Sequence, residues 1–204
     1  MRIAVLGSTG GTGHQLLTQA LDRGHTVVAV VRDPSRLKGH WSPHLEVVTG
    51  DVHDAAGLTD ALSTVDVVVS GLGAMRKARP GTLTAGAMAV AGGSRVVWLT
   101  ALGSGVSAAS AGLLTRLLLP VVLGRAELAD KARAEQLLLP AGAAVLAAGP
   151  LTDGALASSR RTVALADAPR RLFPASISRA TVAAAMLDEA EESRFAGRVA
   201  VPLG

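Results

Sequence analysis

The chain has 204 residues, of which 49% are hydrophobic and 18% are charged, so it can bury one sizeable core and is not disordered. It contains no cysteine, which excludes a disulfide framework, a thiol nucleophile and a thiolate metal site. The 20 Lys and Arg exceed the 16 Asp and Glu, but two Trp and two Phe provide no aromatic interleaving, so we expect no nucleic-acid partner.

Contact with a membrane is not expected either. The longest apolar stretch runs from Gly112 to Gly124, is broken by Arg116 and Pro120, and is too short to span a bilayer. No secretory signal pattern precedes the first apolar run. We therefore expect a soluble, cytoplasmic protein that acts on a small molecule, and the composition leaves its oligomeric state open.

Apolar runs alternate with helical patterns along the chain, which is typical of βαβ units and a parallel sheet. In chain order the runs predict strands over Arg2–Leu6, Thr26–Val31, Leu45–Thr49, Val65–Ser70, Arg95–Thr100, Ala143–Ala148, Arg161–Ala164 and Arg198–Val201. The helical patterns predict helices over Gly11–Arg23, Asp54–Leu62, Pro80–Ala91, Ala111–Leu123, Arg125–Leu139 and Ser178–Ala190, with a short helix after Asp33. The segment Gly103–Gly112 is rich in Ala, Gly and Ser, and we interpret it as a mobile loop.

A Gly-x-x-Gly-x-x-Gly turn directly follows the first strand and leads into the first helix. Gly7 allows a sharp turn, Gly10 lets the backbone approach a phosphate, and Gly13 lets the helix pack close to the strand. The helix N-terminus offers unpaired N–H groups and a partial positive charge to an anion. The turn therefore predicts a pyrophosphate site formed by Gly7, Ser8, Thr9, Gly10, Thr12 and Gly13.

The residues after the second strand indicate which nucleotide is bound. In a dinucleotide fold this position faces the adenosine ribose, where an acidic residue favours NAD and a basic one favours NADP. Arg32 ends the strand, and Arg36 and Lys38 follow on the same loop. Asp33 is the competing residue, but it precedes Pro34 as a helix N-cap would. We predict NADP(H), with Arg32 and Arg36 binding the 2′-phosphate.

The ends of the third and fourth strands supply the remaining cofactor contacts. Asp51 and Val52 follow the third strand, where a carboxylate can accept a hydrogen bond from the adenine amine; the alternative is a turn Asp without a ligand. Gly71, Leu72 and Gly73 follow the fourth strand, where glycines permit close approach of a cofactor. We assign the first pair to adenine and the second group to the nicotinamide half.

These motifs together resemble the atypical short-chain dehydrogenase/reductases, and among them the NmrA-like NAD(P)H-binding proteins, which include the biliverdin-IXβ reductase/flavin reductases. The resemblance covers nearly the whole chain and continues through Asp66–Ser70, Lys131–Leu138, Leu151–Gly154 and Ile177–Ala180. It implies a Rossmann-like, doubly wound, mostly parallel α/β sheet in a single domain over residues 1–204. It also implies a small C-terminal substrate lobe over roughly residues 151–204, with NADP(H) across the carboxyl edge of the sheet.

The catalytic residues depart from the wider superfamily, which uses Tyr-x-x-x-Lys with a Ser or Thr, because this chain has no Tyr. If Lys131 keeps the place of the family Lys and holds the nicotinamide ribose, Glu127 stands in the Tyr position. Glu127 is then either an acid or the partner of Lys131 in a surface i,i+4 salt bridge. Thr100 and Ser104 lie either beside the nicotinamide, as the superfamily's Ser or Thr does, or in turn hydrogen bonds.

Two other features bear on the site. The histidines show no metal-ligand spacing, so we expect no metal. The apolar segment Gly112–Gly124 is either a wall or lid over the substrate or an ordinary core helix.

The residues favour an NADPH-dependent oxidoreductase that transfers hydride to a planar acceptor such as a flavin, a quinone or a polyketide-like aromatic. The biliverdin/flavin reductase subgroup that the chain resembles also lacks the Tyr, and there the proton can come from solvent. Two alternatives stay open: a non-catalytic NADP(H)-binding sensor, and a redox-neutral isomerase or cyclase that retains the cofactor fold.

Overall fold

Strands and helices alternate along most of the chain in the computed structural model, which describes residues 1–37, 42–54, 56–73, 79–169 and 171–204. The strands are β1 (Arg2–Leu6), β2 (Thr26–Val31), β3 (Leu45–Thr49), β4 (Val67–Ser70), β5 (Arg95–Ala101), β6 (Ala144–Ala148), β7 (Leu151–Thr152), β8 (Arg161–Ala164), β9 (Ile177–Ser178) and β10 (Val199–Leu203). The α-helices are α1 (Gly11–Asp22), α2 (Thr59–Ser63), α3 (Thr82–Val90), α4 (Leu113–Val122), α5 (Arg125–Leu138) and α6 (Arg179–Glu192). Short 3₁₀-helices cover Pro34–Arg36, Ala56–Leu58, Gly105–Ser110 and Leu165–Asp167.

The main sheet has the strand order β3-β2-β1-β4-β5-β6-β10-β8. Its strands are parallel from β3 to β10, and β8 pairs antiparallel with β10 at the edge. The strand order reverses between β1 and β4, and ligands of open α/β sheets bind outside the carboxyl ends of the strands at such a point. The predicted doubly wound, mostly parallel sheet is therefore confirmed.

Helices cover both faces of the sheet, which explains why its strands read as continuous apolar runs. In β1, Ile3 and Val5 belong to a core shared with α1 and α6, while Ala4 and Leu6 belong to the opposite core with α3 and α5. Strand β10 contributes to both cores. The single-domain organisation stays our prediction, and these shared cores support it.

The structure departs from the predicted elements in three places. The helix expected over Asp54–Leu62 is a 3₁₀-turn at Ala56–Leu58 followed by the short α2. The interpretation of Gly103–Gly112 as a mobile loop is wrong, since a 3₁₀-helix within it is hydrogen-bonded to α5. The parallel pair of β7 and β9 was not predicted, because two-residue strands have no periodicity.

Helix α4 is not an ordinary core helix. Leu117, Leu118, Val121 and Val122 are exposed, so that alternative for the apolar segment is wrong. Thr115, in the first turn of α4, is buried instead. The N-terminal end of α4 therefore packs against the rest of the protein, while much of the apolar surface of the helix is exposed to solvent.

Within the described ranges, no helix is long and apolar enough to cross a membrane. The cytoplasmic location stays a prediction. Lys38, the further positive charge noted on the loop after β2, lies outside the described residues.

Candidate active site

The glycine turn closes tightly at the end of β1. Gly7 has a φ of +77°, a conformation that side-chain-bearing residues rarely adopt. The Gly10 N–H donates a hydrogen bond to the Gly7 carbonyl at 2.9 Å. A Cβ at Gly13 would overlap that same carbonyl oxygen. The backbone itself therefore requires glycine at positions 7 and 13.

The start of α1 is available to an anion. Its N-cap Gly10 supplies no side-chain hydrogen bond, and no acidic residue lies in the first turn, so the first N–H groups keep no partner within the helix. The Ser8 hydroxyl is buried and is directed at the carbonyls of Val5 and Val30, at 3.2 and 3.3 Å. The side chain of Ser8 therefore holds the turn, and its backbone N–H is what can reach a ligand.

The other two polar residues of the turn differ in exposure. Thr12 is buried in the first turn of α1, while Thr9 is half-buried at the tip. Thr9 is therefore the hydroxyl of this turn that is more accessible to a bound anion.

The end of β4 packs directly against the glycine turn. A Cβ at Gly7 would come 3.1 Å from the Gly71 carbonyl carbon and 3.1 Å from the Leu72 nitrogen. A Cβ at Gly71 would come 3.2 Å from the Gly13 nitrogen, whereas Gly73 has open space beside it. The structure thus brings the predicted pyrophosphate turn and the predicted nicotinamide segment together where the strand order reverses.

Arg179, the first residue of α6, lies across the start of α1. A Cβ at Gly11 would come 2.8 Å from Arg179 Cδ and 2.9 Å from Arg179 Nε. The guanidinium continues to Asp153, whose carboxylate it meets at 2.6 Å. Arg179 lies within the segment Ile177–Ala180 that resembles the family, but no local pattern assigns it a role, because only the fold brings it to Gly11.

At the end of β2, the Asp33 carboxylate already accepts hydrogen bonds, whereas the guanidinium groups of Arg32 and Arg36 make none to a described residue. The Asp33 carboxylate caps the 3₁₀-helix by accepting hydrogen bonds from the Ser35 N–H at 3.0 Å and the Ser35 hydroxyl at 2.7 Å. These bonds hold the pKa of Asp33 below its ordinary value. The predicted N-cap is confirmed. Arg32 and Arg36 are exposed, and neither guanidinium hydrogen-bonds or ion-pairs with a described residue.

Of the two residues assigned to adenine, Asp51 caps its own turn and Val52 lies beside α3. The Asp51 carboxylate accepts a hydrogen bond from the His53 N–H at 3.0 Å, which is turn chemistry and occupies one of its two oxygens. A Cβ at Gly86 would come 2.8 Å from Leu72 Cδ1 and 3.8 Å from Val52 Cγ1. Gly86 therefore lets Val52 and Leu72 approach the helix. No motif pointed to Gly86.

A buried carboxylate organises the loop after β5. Thr100 Oγ1 donates to Glu135 Oε1 at 2.8 Å, and Ser104 Oγ lies 3.2 Å from the same oxygen. The Val106 N–H donates to Glu135 Oε2 at 2.8 Å. The two hydroxyls lie 3.0 Å apart. The Ser104 hydroxyl also makes a turn hydrogen bond to the Ala101 carbonyl at 2.7 Å, whereas Thr100 bonds to the distant Glu135. Whether either hydroxyl lies beside the nicotinamide stays a prediction.

Glu135 is fully buried in α5, and the sequence analysis did not single it out. Burial raises its pKa above the ordinary value, and the hydrogen bonds from Val106, Thr100 and Ser104 together with the Lys131 charge oppose this only in part. A Cβ at Gly105, where φ is +46°, would overlap the carboxylate. The loop can therefore close on Glu135 only because position 105 is glycine.

Lys131 and Glu127 lie one helical turn apart, as their spacing predicts. Lys131 Nζ is 3.6 Å from Glu127 Oε1, and the Lys131 residue is only 8% exposed. Lys131 also precedes Glu135 by one turn, so the ammonium group lies between two carboxylates along α5. Whether Lys131 or Glu127 acts on a ligand stays a prediction.

Asp130 joins α5 to α3. Its carboxylate accepts hydrogen bonds from the Leu83 and Thr84 N–H groups, each at 2.9 Å, and from the Thr84 hydroxyl at 2.5 Å. These N–H groups belong to the first turn of α3 and have no acceptor within that helix. Asp130 therefore caps α3 from a neighbouring helix, a role that local sequence does not reveal.

A cavity of about 360 Å³ opens at the carboxyl edge of the sheet. Leu102 after β5 and Gly149 after β6 form part of its wall, together with Gly112 and Thr115 at the start of α4. Of the described part of the apolar segment Gly112–Gly124, only this end lines the cavity, and its role as a wall over the substrate stays a prediction. Ser110 and Ala111, just before α4, also line it. The remaining lining comes from the chain just before β8, from β8 to β9, and from β10 with the residue after it, and consists of Ser159, Arg160, Arg161, Leu165, Ala166, Ala168, Pro169, Arg171, Pro174, Ala175, Ser176, Ile177, Val201, Pro202, Leu203 and Gly204.

An open parallel sheet with a glycine turn at the reversal of strand order, beside a cavity on the same edge, defines a dinucleotide-binding protein of Rossmann-like fold. The chain belongs to the NAD(P)H-binding family, whose sequence model matches residues 7–193. The predicted resemblance is thereby confirmed. Among the described residues, no group of three or more His, Asp or Glu side chains could hold a metal ion.

The similar proteins include several reductases and dehydrogenases. The chain is 42% identical over 67 residues to a 3 beta-hydroxysteroid dehydrogenase/Delta 5→4-isomerase from Mycobacterium tuberculosis, a match that covers 33% of this chain and 18% of that protein. It is 34% identical over 83 residues to an isoflavone reductase homolog from Zea mays, covering 37% of this chain and 27% of that one. The matched segment therefore spans well under a third of these relatives.

A solved structure matches over the whole chain. An anaerobillin reductase from Escherichia coli O157:H7 is 24% identical, with a TM-score of 0.78, and the match covers 100% of this chain and 97% of that one. At this identity the likeness shows the shared fold.

Proposed function

We propose that the protein is an NADPH-dependent oxidoreductase that transfers hydride to a planar small-molecule acceptor without a Tyr general acid. The observation that carries the proposal is a cavity of about 360 Å³ on the same sheet edge as the glycine turn, which offers room for a second molecule at the edge where the cofactor would bind. The reductases among the similar proteins support the same activity.

The proposed cofactor is NADP(H) rather than NAD(H). Asp33 already accepts two hydrogen bonds from Ser35, so its carboxylate is not available to both ribose hydroxyls. The guanidinium groups of Arg32 and Arg36 are exposed and make no hydrogen bond to a described residue, although the Arg36 charge helps to lower the pKa of Asp33. A guanidinium suits a 2′-phosphate.

The remaining contacts follow the cleft from the adenine end to the nicotinamide end. Asp51 and Val52 flank adenine, and Lys131 holds the nicotinamide ribose. Arg179 adds a positive charge beside the first turn of α1, where its side chain already packs on Gly11. The diphosphate and nicotinamide contacts come from Gly7, Ser8, Thr9, Gly10, Thr12, Gly13, Gly71, Leu72 and Gly73.

The protein's part in the chemistry is to position the reactants. Bound NADPH supplies the hydride. Thr100 and Ser104 are both engaged with Glu135, which argues against either hydroxyl as a proton donor. We propose that the proton comes from solvent and that the loop after β5 fixes the position of the acceptor.

Oxidation of NADPH and NADH with a panel of flavins and quinones tests the activity. We expect turnover with NADPH and little with NADH. Arg32→Gln should raise the Kd for NADPH about tenfold and leave that for NADH unchanged, since it removes one charge-assisted phosphate contact. Arg133→Gln, an exposed change on α5, is the matched control.

One observation favours a second function, a non-catalytic NADP(H)-binding sensor. The chain has no Tyr, and the two hydroxyls that could replace it are bound to Glu135. NADPH binding without oxidation across the whole acceptor panel would support this alternative, whereas turnover with any acceptor excludes it.

A further inference from the structure

The cavity beside the cofactor cleft has an uncompensated positive lining. Three arginines contribute to it, at positions 160, 161 and 171. Arg160 is paired with Asp188, whose carboxylate it meets at 3.0 and 3.1 Å and which also meets Arg23 at 2.9 Å. Arg161 and Arg171 make no hydrogen bond or ion pair with a described residue. No Asp or Glu lines the cavity within the part of the chain that the structure describes.

Arg161 and Arg171 both belong to the stretch of chain from β8 toward β9, which forms part of the cavity wall. Arg161 begins β8 and pairs with Leu203 of the antiparallel β10, so it lies at the carboxyl edge of the parallel strands. Arg171 lies on the chain that returns from the 3₁₀-helix Leu165–Asp167 toward β9. One continuous stretch of chain, β8 and the connection that follows it, therefore contributes both arginines to a single concavity.

The rest of the lining is mostly small or apolar. Leu102, Leu165, Ile177 and Val201 provide aliphatic surface, and no aromatic ring lines the cavity within the described residues. Its volume of about 360 Å³ falls within the range of small-molecule sites, which is roughly 300–1,000 Å³. Aliphatic walls suit the face of a flat ring system, and two unpaired guanidinium groups suit an anion.

We propose that the cavity selects an acceptor with a flat apolar ring system and an anionic substituent, such as a phosphate, carboxylate or sulfonate, which binds to Arg161 and Arg171. This inference rests on the proposed reductase function and names the class of its second substrate. Field focusing in a concave site with one sign of charge also favours entry of an anion.

The test compares ligands that share a ring and differ in charge. The protein is saturated with NADP⁺, which blocks the cofactor site and prevents turnover, and riboflavin and FMN are titrated by their ring fluorescence. A second pair, 1,4-naphthoquinone and its 2-sulfonate, competes for the same site. We expect each anion to bind about tenfold tighter than its neutral partner, and added salt to reduce the difference.

The double variant Arg161→Gln/Arg171→Gln should lose this preference while it binds riboflavin and the neutral quinone as before. The matched control Arg125→Gln/Arg133→Gln removes two arginines of α5 that do not line the cavity, and should keep the preference. Equal binding of the charged and neutral partners, a double variant that keeps the preference, or failure of both anions to bind would overturn the inference.

The outcomes separate this inference from the proposed function, because binding is measured without hydride transfer. NADPH oxidation with no anion preference leaves the reductase and removes the anion site. An anion preference that depends on the two arginines, without oxidation of NADPH by any acceptor, leaves the anion site and removes the reductase.

Discussion

Arg179 Cδ lies only 2.8 Å from where a Cβ of Gly11 would be, so a side chain from α6 crosses the first turn of α1. Arg179, in the last quarter of the chain, thus borders the glycine turn Gly7–Gly13 near the N-terminus. The contact places a cation next to unpaired helix N–H groups, and both would attract the same anion.

Loss of the Arg179 charge should weaken cofactor binding. Arg179→Met keeps much of the aliphatic packing on Gly11 and removes the guanidinium, so we expect the Kd for NADPH to rise about tenfold, as for one charge-assisted hydrogen bond. The measurement is a fluorescence titration with NADPH at two salt concentrations.

The ion pair with Asp153 provides the control for that change. The Asp153 side chain is 90% exposed, so the pair itself contributes little stability. Asp153→Asn should therefore leave NADPH binding unchanged or tighten it. Equal weakening by both variants would mean that Arg179 acts through the pair rather than on the cofactor.

Gly13→Ala should damage both the fold and cofactor binding, because its Cβ would overlap the Gly7 carbonyl oxygen. The expected loss is about 1–3 kcal/mol of unfolding free energy, typical of overpacking, measured by urea denaturation. NADPH binding, measured by titration, should weaken as well. Gly92→Ala has no neighbour within 4 Å and should change stability by less than about 0.5 kcal/mol.

The raised pKa of Glu135 predicts a dependence of stability on pH. Because the folded state holds its proton more tightly than the unfolded state, the contribution of Glu135 is complete below the ordinary value of 4.5 and is lost as pH rises through the folded-state pKa. The stability of Glu135→Gln relative to the parent protein should therefore increase with pH above that value. Urea denaturation at a series of pH values measures the difference.

Glu192→Gln, at the exposed end of α6, reports what any Glu→Gln change does to the same curves. A difference between Glu135→Gln and the parent protein that stays flat from pH 4 upward would contradict the assignment of a raised pKa to Glu135.

Asp130→Ala should destabilise the protein by about 1–2 kcal/mol, the usual effect of removing a helix N-cap acceptor. Urea denaturation measures the change. Asp60→Ala in the first turn of α2 is the comparison at an exposed position. A loss no larger than that of Asp60→Ala would show that water replaces the Asp130 carboxylate without cost.

The sequence could predict those features that depend on residues within a single element or turn. The alternation of apolar runs and helical patterns indicated the order of most elements, and the Asp33-Pro34 pair indicated the cap that the structure has. The glycine turn was recognised because Gly7 and Gly13 meet within one loop.

The features that were missed depend on contacts between distant segments. Glu135 acts on a loop after β5, and Gly86 matters only because Leu72 comes to rest against it. The Ala, Gly and Ser composition of Gly103–Gly112 suggested mobility, but buried hydrogen bonds to another helix decide its structure. Spacing along a chain carries no information about such pairings.

The cap that Asp130 places on α3 also has a consequence for how the cleft keeps its dimensions. Helix α3 supports Val52 and Leu72 through Gly86, and α5 carries Lys131 and Glu135. The Asp130 carboxylate adds a polar link between two helices that also share an apolar core through Leu83, Ala87, Ala134 and Leu138. In the proposed complex, the contacts assigned to the adenine and nicotinamide ends of the cofactor are therefore supported by one packed pair of helices rather than by independently placed loops.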